Sequence, residues 1–241
     1  VRSAHDETQA VADFFSQVFG RNSIDDGGMT LMSSVHFGAN YNNALWNGLQ
    51  MIYGDGDGQI FVDFTRGRDV IAHELTHGVT QHTLRLVYAN EPGGLNESMS
   101  DVFGSMFRQW RAGQDVNAAD WLIGADILGP LARGRGFTCL RDMANPAAGH
   151  CLSPQITHYS QYAAGMDPHH SSGVPNLAFQ RAGSDEAEVS IDGGRSWGRM
   201  GALKLGERLA SVEDVTHLRW RVPPEAAAQR RGTIAYSAVV R

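Results

Sequence analysis

The sequence predicts an α+β protein whose helices and strands are segregated along the chain. Three observations carry this expectation. Apolar residues recur at helical spacing near the amino terminus and again between Asn96 and Trp110. Residues 30–64 instead carry short β-favouring runs divided by glycine- and asparagine-rich turns. After Ala182 the character of the chain changes to short alternating runs broken by turns, which read as β structure.

Taken in order, Val11, Phe14, Phe15, Val18 and Phe19 predict an amphipathic helix from Asp6 to Phe19, closed by Gly20. The runs Ser33–Phe37, Leu49–Tyr53 and Gln59–Phe64, with the turn Gly54-Asp55-Gly56-Asp57-Gly58, predict a small antiparallel β region. Two helices are expected next, Asp69–Thr83 and Asn96–Trp110, joined by a linker containing Glu91-Pro92-Gly93-Gly94. On the second, Met99, Phe103, Met106 and Trp110 form one face, while Glu97, Asp101 and Gly104 form another. Past a boundary near 182–186, Ala187, Val189, Ile191, Trp197, Leu218–Val222 and Ile234–Val240 predict β structure.

At 241 residues and 42% hydrophobic the chain can bury a real core, as one domain or two modest lobes. A formal net charge of -6 argues against broad attraction to nucleic-acid phosphates or anionic lipid, so neither nucleic acid nor membrane is an expected partner. No apolar run approaches the roughly 20 residues that cross a bilayer. Cys139 and Cys151 fit no metal-binding pattern; a local disulfide is favoured over two free buried thiols.

The chemistry concentrates in His73-Glu74-Leu75-Thr76-His77. On a helix the two histidines stand one turn apart, about 40° round the axis, so both imidazoles can reach one zinc ion. Glu74 is too near in sequence to chelate with them comfortably, which leaves its carboxylate as a candidate general base. A catalytic zinc takes three protein ligands and keeps one open position. Glu97, at the start of the following helix, is the chosen third ligand, and Asp101 one turn later could hold the second nitrogen of a ligand imidazole. The pentapeptide alone arises by chance often enough to be ambiguous; the acidic pair on the next helix makes the combination strong.

At this point the chain resembles the thermolysin family of neutral metalloproteases. The resemblance rests on His73-Glu74-Leu75-Thr76-His77-Gly78-Val79-Thr80 and Gly94-Leu95-Asn96-Glu97-Ser98-Met99-Ser100-Asp101. Three further blocks, Tyr41–Gly48, Met51–Gly58 and Asp167–Asn176, follow the family's order, and the likeness covers roughly residues 4–180. It implies a two-lobed fold, with a β-rich lobe including the zinc helix (1–86), a helical lobe (87–182) and the zinc helix at the cleft. Residues 183–241 form an atypical β-rich tail similar to part of an immunoglobulin-like module, and Ser190–Trp197 fits an Asp-box hairpin.

The resemblance further implies a secreted, monomeric zinc metalloendopeptidase acting on proteins or peptides, by attack of zinc-bound water with Glu74 assisting. Tyr88 and His169 would donate to the oxyanion, with Asp167 orienting His169. Asn43 and the backbone of Ala44 would hold an extended substrate, and Arg141 would bind a carbonyl just past the cleaved bond. Phe61, Val70 and Leu140 would line an apolar pocket that selects bulky hydrophobic residues after that bond. His170 is the competing histidine, and spacing to Gly173 favours His169. The family's calcium-binding carboxylates are kept only at Asp69 and Asp120; Arg108, Leu122 and Ala125 stand in place of others, so the double calcium site is expected to be lost. Two rival readings are a catalytically inactive or incomplete homologue and a binding module carried by the tail.

Overall fold

The computed structural model describes residues 1–115, 118–183, 187–199, 202–210 and 214–220. Its backbone divides into one unit over 1–177 and a second over 178–241.

Helix α1, Arg2–Phe19, begins one turn before the expected Asp6 and ends at Gly20. Gly20 has φ 66°, and its N–H reaches Phe15 and Ser16 carbonyls, the left-handed cap that glycine adopts without a Cβ penalty. The helix buries Val11, Phe14 and Phe15. Strands β1 (Ser33–Ser34), β2 (Ala44–Trp46) and β3 (Met51–Tyr53) form a sheet in the order β1-β3-β2.

Two corrections follow. The sheet is mixed rather than antiparallel: β2 and β3 pair antiparallel, but β1 pairs parallel with β3. The β2–β3 turn is local, held by Asn47 Oδ1 accepting from the Leu49 and Gln50 amides, whereas the β1 pairing is non-local and has no sequence signature. The run Gln59–Phe64 is not a strand. Asp57 Oδ1 accepts from the amides of Gln59, Ile60 and Phe61, turning them out of a ladder, and only an isolated bridge from Phe61 to Leu128 remains. Strand β2 is left at the sheet's edge.

Helix α2 spans Arg68–His82 and α3 spans Asn90–Ala112. The start of α3 is a third correction, since Glu91-Pro92-Gly93-Gly94 is helical and not a linker. Pro92 falls in the first turn, where a missing N–H leaves no intrahelical bond unmade. Gly93 and Gly94 are helical because a neighbour needs the space: a Cβ on Gly93 would lie 2.9 Å from Pro168 Cγ, and one on Gly94 would collide with the Ser171 hydroxyl. Helices α2 and α3 pack along each other, and a Cβ on Gly104 of α3 would lie 2.7 Å from the Asp69 carbonyl of α2.

The core gathers Phe14 and Phe15 from α1, Met51 and Tyr53 from the sheet, Ile71 and Leu75 from α2, and Phe107 from α3. Phe14 meets Phe107 and Trp110 with ring centroids 5.8 and 5.6 Å apart. Burying each such side chain contributes about 1.5–3 kcal/mol, which locks the α2–α3 pair beneath α1.

Strand β4 (Leu122–Ile123) pairs antiparallel with β5 (Arg141–Asp142), and the short helix α4 (Pro130–Gly134) lies between them in sequence. The expected Cys139–Cys151 disulfide is not formed; both cysteines are buried and free, with Sγ atoms 2.7 Å apart. Their proximity comes from backbone pairing: Thr138 N donates to His150 O and Leu152 N to Cys139 O, which holds the two segments side by side without a covalent bond. Helices α5 (Pro168–Ser171) and α6 (Gly173–Gly183) follow.

In the second unit, β6 (Ala187–Ser190) pairs antiparallel with β9 (His217–Trp220), and β7 (Lys204–Leu205) with β8 (Arg208–Leu209). Asp192 Oδ1 accepts from the Arg195 and Ser196 amides and closes the turn that the Ser190–Trp197 pattern predicts. The expected β runs at Arg221–Val222 and Ile234–Val240 lie outside the described residues.

Candidate metal centre and cleft

Helix α2 presents His73 and His77 one turn apart toward α3, which presents Glu97. Their ligand atoms all lie within 4.8 Å of one another. His73 Nδ1 is 2.9 Å from Asp101 Oδ1, and His77 Nδ1 is 2.8 Å from Asn96 Oδ1. Both partners are oxygen acceptors, so each Nδ1 carries its ring's proton and each Nε2 turns a lone pair inward. Those Nε2 atoms are 3.2 Å apart. The Glu97 carboxylate lies 3.4 Å from His73 Nε2 and 3.3 Å from His77 Nε2. Glu97 Oε2 is buried and has no hydrogen-bond donor among the described residues.

Three electron-pair donors thus converge in a buried place, a repulsive arrangement that only a cation relieves. A proton does so in part. Burial works against a charged His73, but the Glu97 and Asp101 carboxylates outweigh it and push its pKa up to about 10. Burial opposes the charge of Glu97 as well, and the two histidines hold its pKa well below the usual carboxylate range. A divalent ion relieves all three donors at once. Two imidazole nitrogens and one carboxylate oxygen suit zinc, and the orphaned Glu97 oxygen is the observation of fit.

A cavity of 660 Å³ opens beside this cluster, lined among others by Asn43, Ala44, Trp46, Glu74, His77, Tyr88, Glu97 and His169. Glu74 faces it, its carboxyl pKa raised by burial and partly restrained by the histidines, with one oxygen accepting from Trp46 N at 3.2 Å. Tyr88 donates its hydroxyl to Glu97 Oε1 at 2.5 Å and lies 3.5 Å from His169 Nε2. Asp167 caps α5, accepting from the His169 amide at 2.8 Å and pairing with its Nδ1 at 2.9 Å, so Nε2 is the nitrogen turned toward Tyr88 and Glu97.

Other expected residues sit differently. Arg141 does not line the cavity: it is buried, with Nε and Nη2 on the Asp101 carboxylate at 2.8 and 2.5 Å. Val70 belongs to the core, and Phe61 and Leu140 pack against it; none of the three is on the cavity lining. Sequence reasoning missed Asn96 and Asn176. Asn96 anchors His77, and its place beside Glu97 at the helix start was the available signal. Asn176 is fully buried and donates to Asp101 Oδ2 at 2.8 Å, joining Arg141 and His73 on one carboxylate, and nothing in its spacing marked that role.

Two histidines and a glutamate on a helix pair, with a second glutamate between the histidines, form a candidate metal centre with the HExxH pattern. The comparisons supply the family. Residues 2–81 match the thermolysin metallopeptidase catalytic domain and residues 85–210 match its alpha-helical domain. The chain belongs to the thermolysin metallopeptidase family and has its fold. It is 44% identical over 200 residues to an extracellular metalloprotease of Pectobacterium carotovorum, covering 79% of this chain and 55% of that protein. It is 46% identical over 179 residues to bacillolysin of Brevibacillus brevis, covering 73% and 31%. Among solved structures, the precursor of protealysin, a metalloproteinase from Serratia proteamaculans, superposes with a TM-score of 0.70 at 42% identity, covering 76% of this chain and 59% of that one. The chain thus spans about half the length of the first of these relatives and about a third of the second.

Proposed function

We propose that this chain is a zinc-dependent endopeptidase in which His73, His77 and Glu97 hold the ion and Glu74 is the general base. The observation that carries the reading is the buried convergence of those three donors beside a cleft that Glu74 faces. When bound, zinc supplies Lewis-acid polarisation of a water and of the scissile carbonyl. Glu74 takes the proton of the attacking water, and its raised pKa suits it to pass that proton to the leaving amine. Tyr88 and the Nε2 of His169 donate to the developing oxyanion, while Asp167 holds the His169 ring. Asp101 positions His73 and Asn96 positions His77.

The free edge of β2 suits an extended peptide, which would add to it as a strand, with Asn43 and Ala44 at one end. Phe61, Val70 and Leu140 give the substrate preference for bulky hydrophobic residues after the bond, and Arg141 acts through Asp101. Export is supported by the naming of a relative as extracellular, and the described residues contain no helix long and apolar enough to cross a membrane. The protein works as a monomer on protein or peptide substrates, with 183–241 as an appended module.

Calcium is not required on this reading. Arg108 donates twice to Asp120 and once to the Leu122 carbonyl, and lies 4.0 Å from Asp69, placing a fixed cation among the acidic groups.

Casein hydrolysis by zinc-loaded protein, compared with Glu74→Ala and a chelated sample, tests the proposal. Wild type should cleave; Glu74→Ala should retain zinc and lose activity by about 10²–10⁴-fold. Zinc bound by wild type without cleavage would leave an inactive homologue.

A further inference from the structure

Arg85 lies in the connection between α2 and α3, exposed, and lines the same cavity as Glu74 and His77. Among the described residues it is the only lysine or arginine on that lining. Its backbone has φ 51° and its N–H closes the end of α2 on the Thr80 carbonyl at 2.8 Å. Glycine meets this left-handed position without strain, whereas a long side chain does not. A strained residue at a cleft is where a side chain's function is sought.

The direction of the cleft gives that side chain a place. Trp46 N donates to Glu74, the Trp46 indole donates to Gln81 at 2.8 Å, and Gln81 Nε2 reaches the Gly48 carbonyl at 3.3 Å. From Ala44 to Gly48, therefore, the β2 edge and α2 advance together toward the helix's carboxyl end, where Arg85 sits. Val70 lies at the opposite end of α2. With the apolar selection after the cleaved bond at the Val70 end, the residues before the bond occupy the Arg85 end.

We infer that Arg85 is a specificity-determining residue which favours an acidic side chain on the amino-terminal side of the scissile bond. The inference rests on the peptidase reading above. An exposed ion pair of this kind changes selectivity by roughly two- to five-fold and weakens as salt rises.

The test uses fluorogenic peptides with a fixed hydrophobic residue after the bond and Glu or Lys placed in turn at each of the positions before it. Wild type should show a Glu-over-Lys ratio in kcat/KM of several-fold at one position, shrinking at high ionic strength. Arg85→Gly, which keeps the left-handed turn, should bring that ratio near one, and Arg85→Glu should invert it. A ratio near one in wild type, or one untouched by Arg85→Glu, overturns the inference. Affinities of the same peptides for zinc-loaded Glu74→Gln protein give a second readout: tighter acidic peptides support it, and equal affinities sink it. Absence of all cleavage by wild type would overturn the peptidase reading and leave this binding comparison to decide the role of Arg85.

Discussion

Asp101 is the residue on which most of the site converges, since its carboxylate meets His73, Arg141 and Asn176, all buried. Burial opposes its charge, yet the Arg141 guanidinium and His73 outweigh this and hold its pKa well below the ordinary carboxylate value. Asp101→Asn would therefore leave a buried guanidinium without its counter-ion. Denaturant titration should show a loss of about 3–5 kcal/mol, and zinc competition a 10–100-fold weaker site. Asn96→Ala removes a neutral acceptor from His77 and a long donor contact to the Leu86 carbonyl, and should cost about 1 kcal/mol, with a comparable fall in zinc affinity. Equal stability losses for the two variants would contradict this ranking. The approach of His73 to His77 was legible in the sequence because helical spacing alone brings the two together. Asn96 and Asn176 were not, because an amide's role depends on which partner tertiary packing sets beside it.

At the scale of elements, the distance between α2 and α3 is set by glycine. Gly104→Ala gains up to about 1 kcal/mol of helix propensity, but its Cβ would lie 2.7 Å from the Asp69 carbonyl, and overpacking costs about 1–3 kcal/mol. The second effect wins, because backbone cannot swing aside as a side chain tip can, so thermal unfolding should show net destabilisation. Gly134, in α4, has open space around its Cβ position, and Gly134→Ala should stabilise by about 0.4–1 kcal/mol. If both alanines stabilise, the helix pair is not glycine-limited. The same close packing explains why the start of α3 was misread: Pro92, Gly93 and Gly94 look like a linker in isolation and are helical because Pro168 and Ser171 press against them. The helical core was legible from its 3.6-residue period, whereas the parallel β1–β3 pairing was not, since two-residue strands carry almost no pattern of their own.

For the molecule as a whole, an ion held by His73, His77 and Glu97 would fasten α2 to α3 at the middle of the first unit, so stability and metal binding should be linked. In metal-free protein a proton shared near His73, Glu97 and Asp101 stands where the ion would. His73 has its pKa raised to about 10, so its contribution to stability is fully present below the unfolded value of about 6.5 and is lost as pH rises through 10. Glu97 and Asp101 have lowered values, so their contributions are present above about pH 4 and fade as pH falls through their folded values. Zinc requires the deprotonated imidazole and tightens as pH rises. The gap in Tm between zinc-loaded and metal-free protein should accordingly widen from pH 6 to pH 9, because the metal-free form weakens over the range in which the loaded form binds more tightly. A calcium-selective chelator should leave the loaded Tm unchanged, since Arg108 already supplies the cation beside Asp69 and Asp120. A gap that narrowed with pH would mean that the ion does not replace that proton, and His73 would then have to be removed from the ligand set.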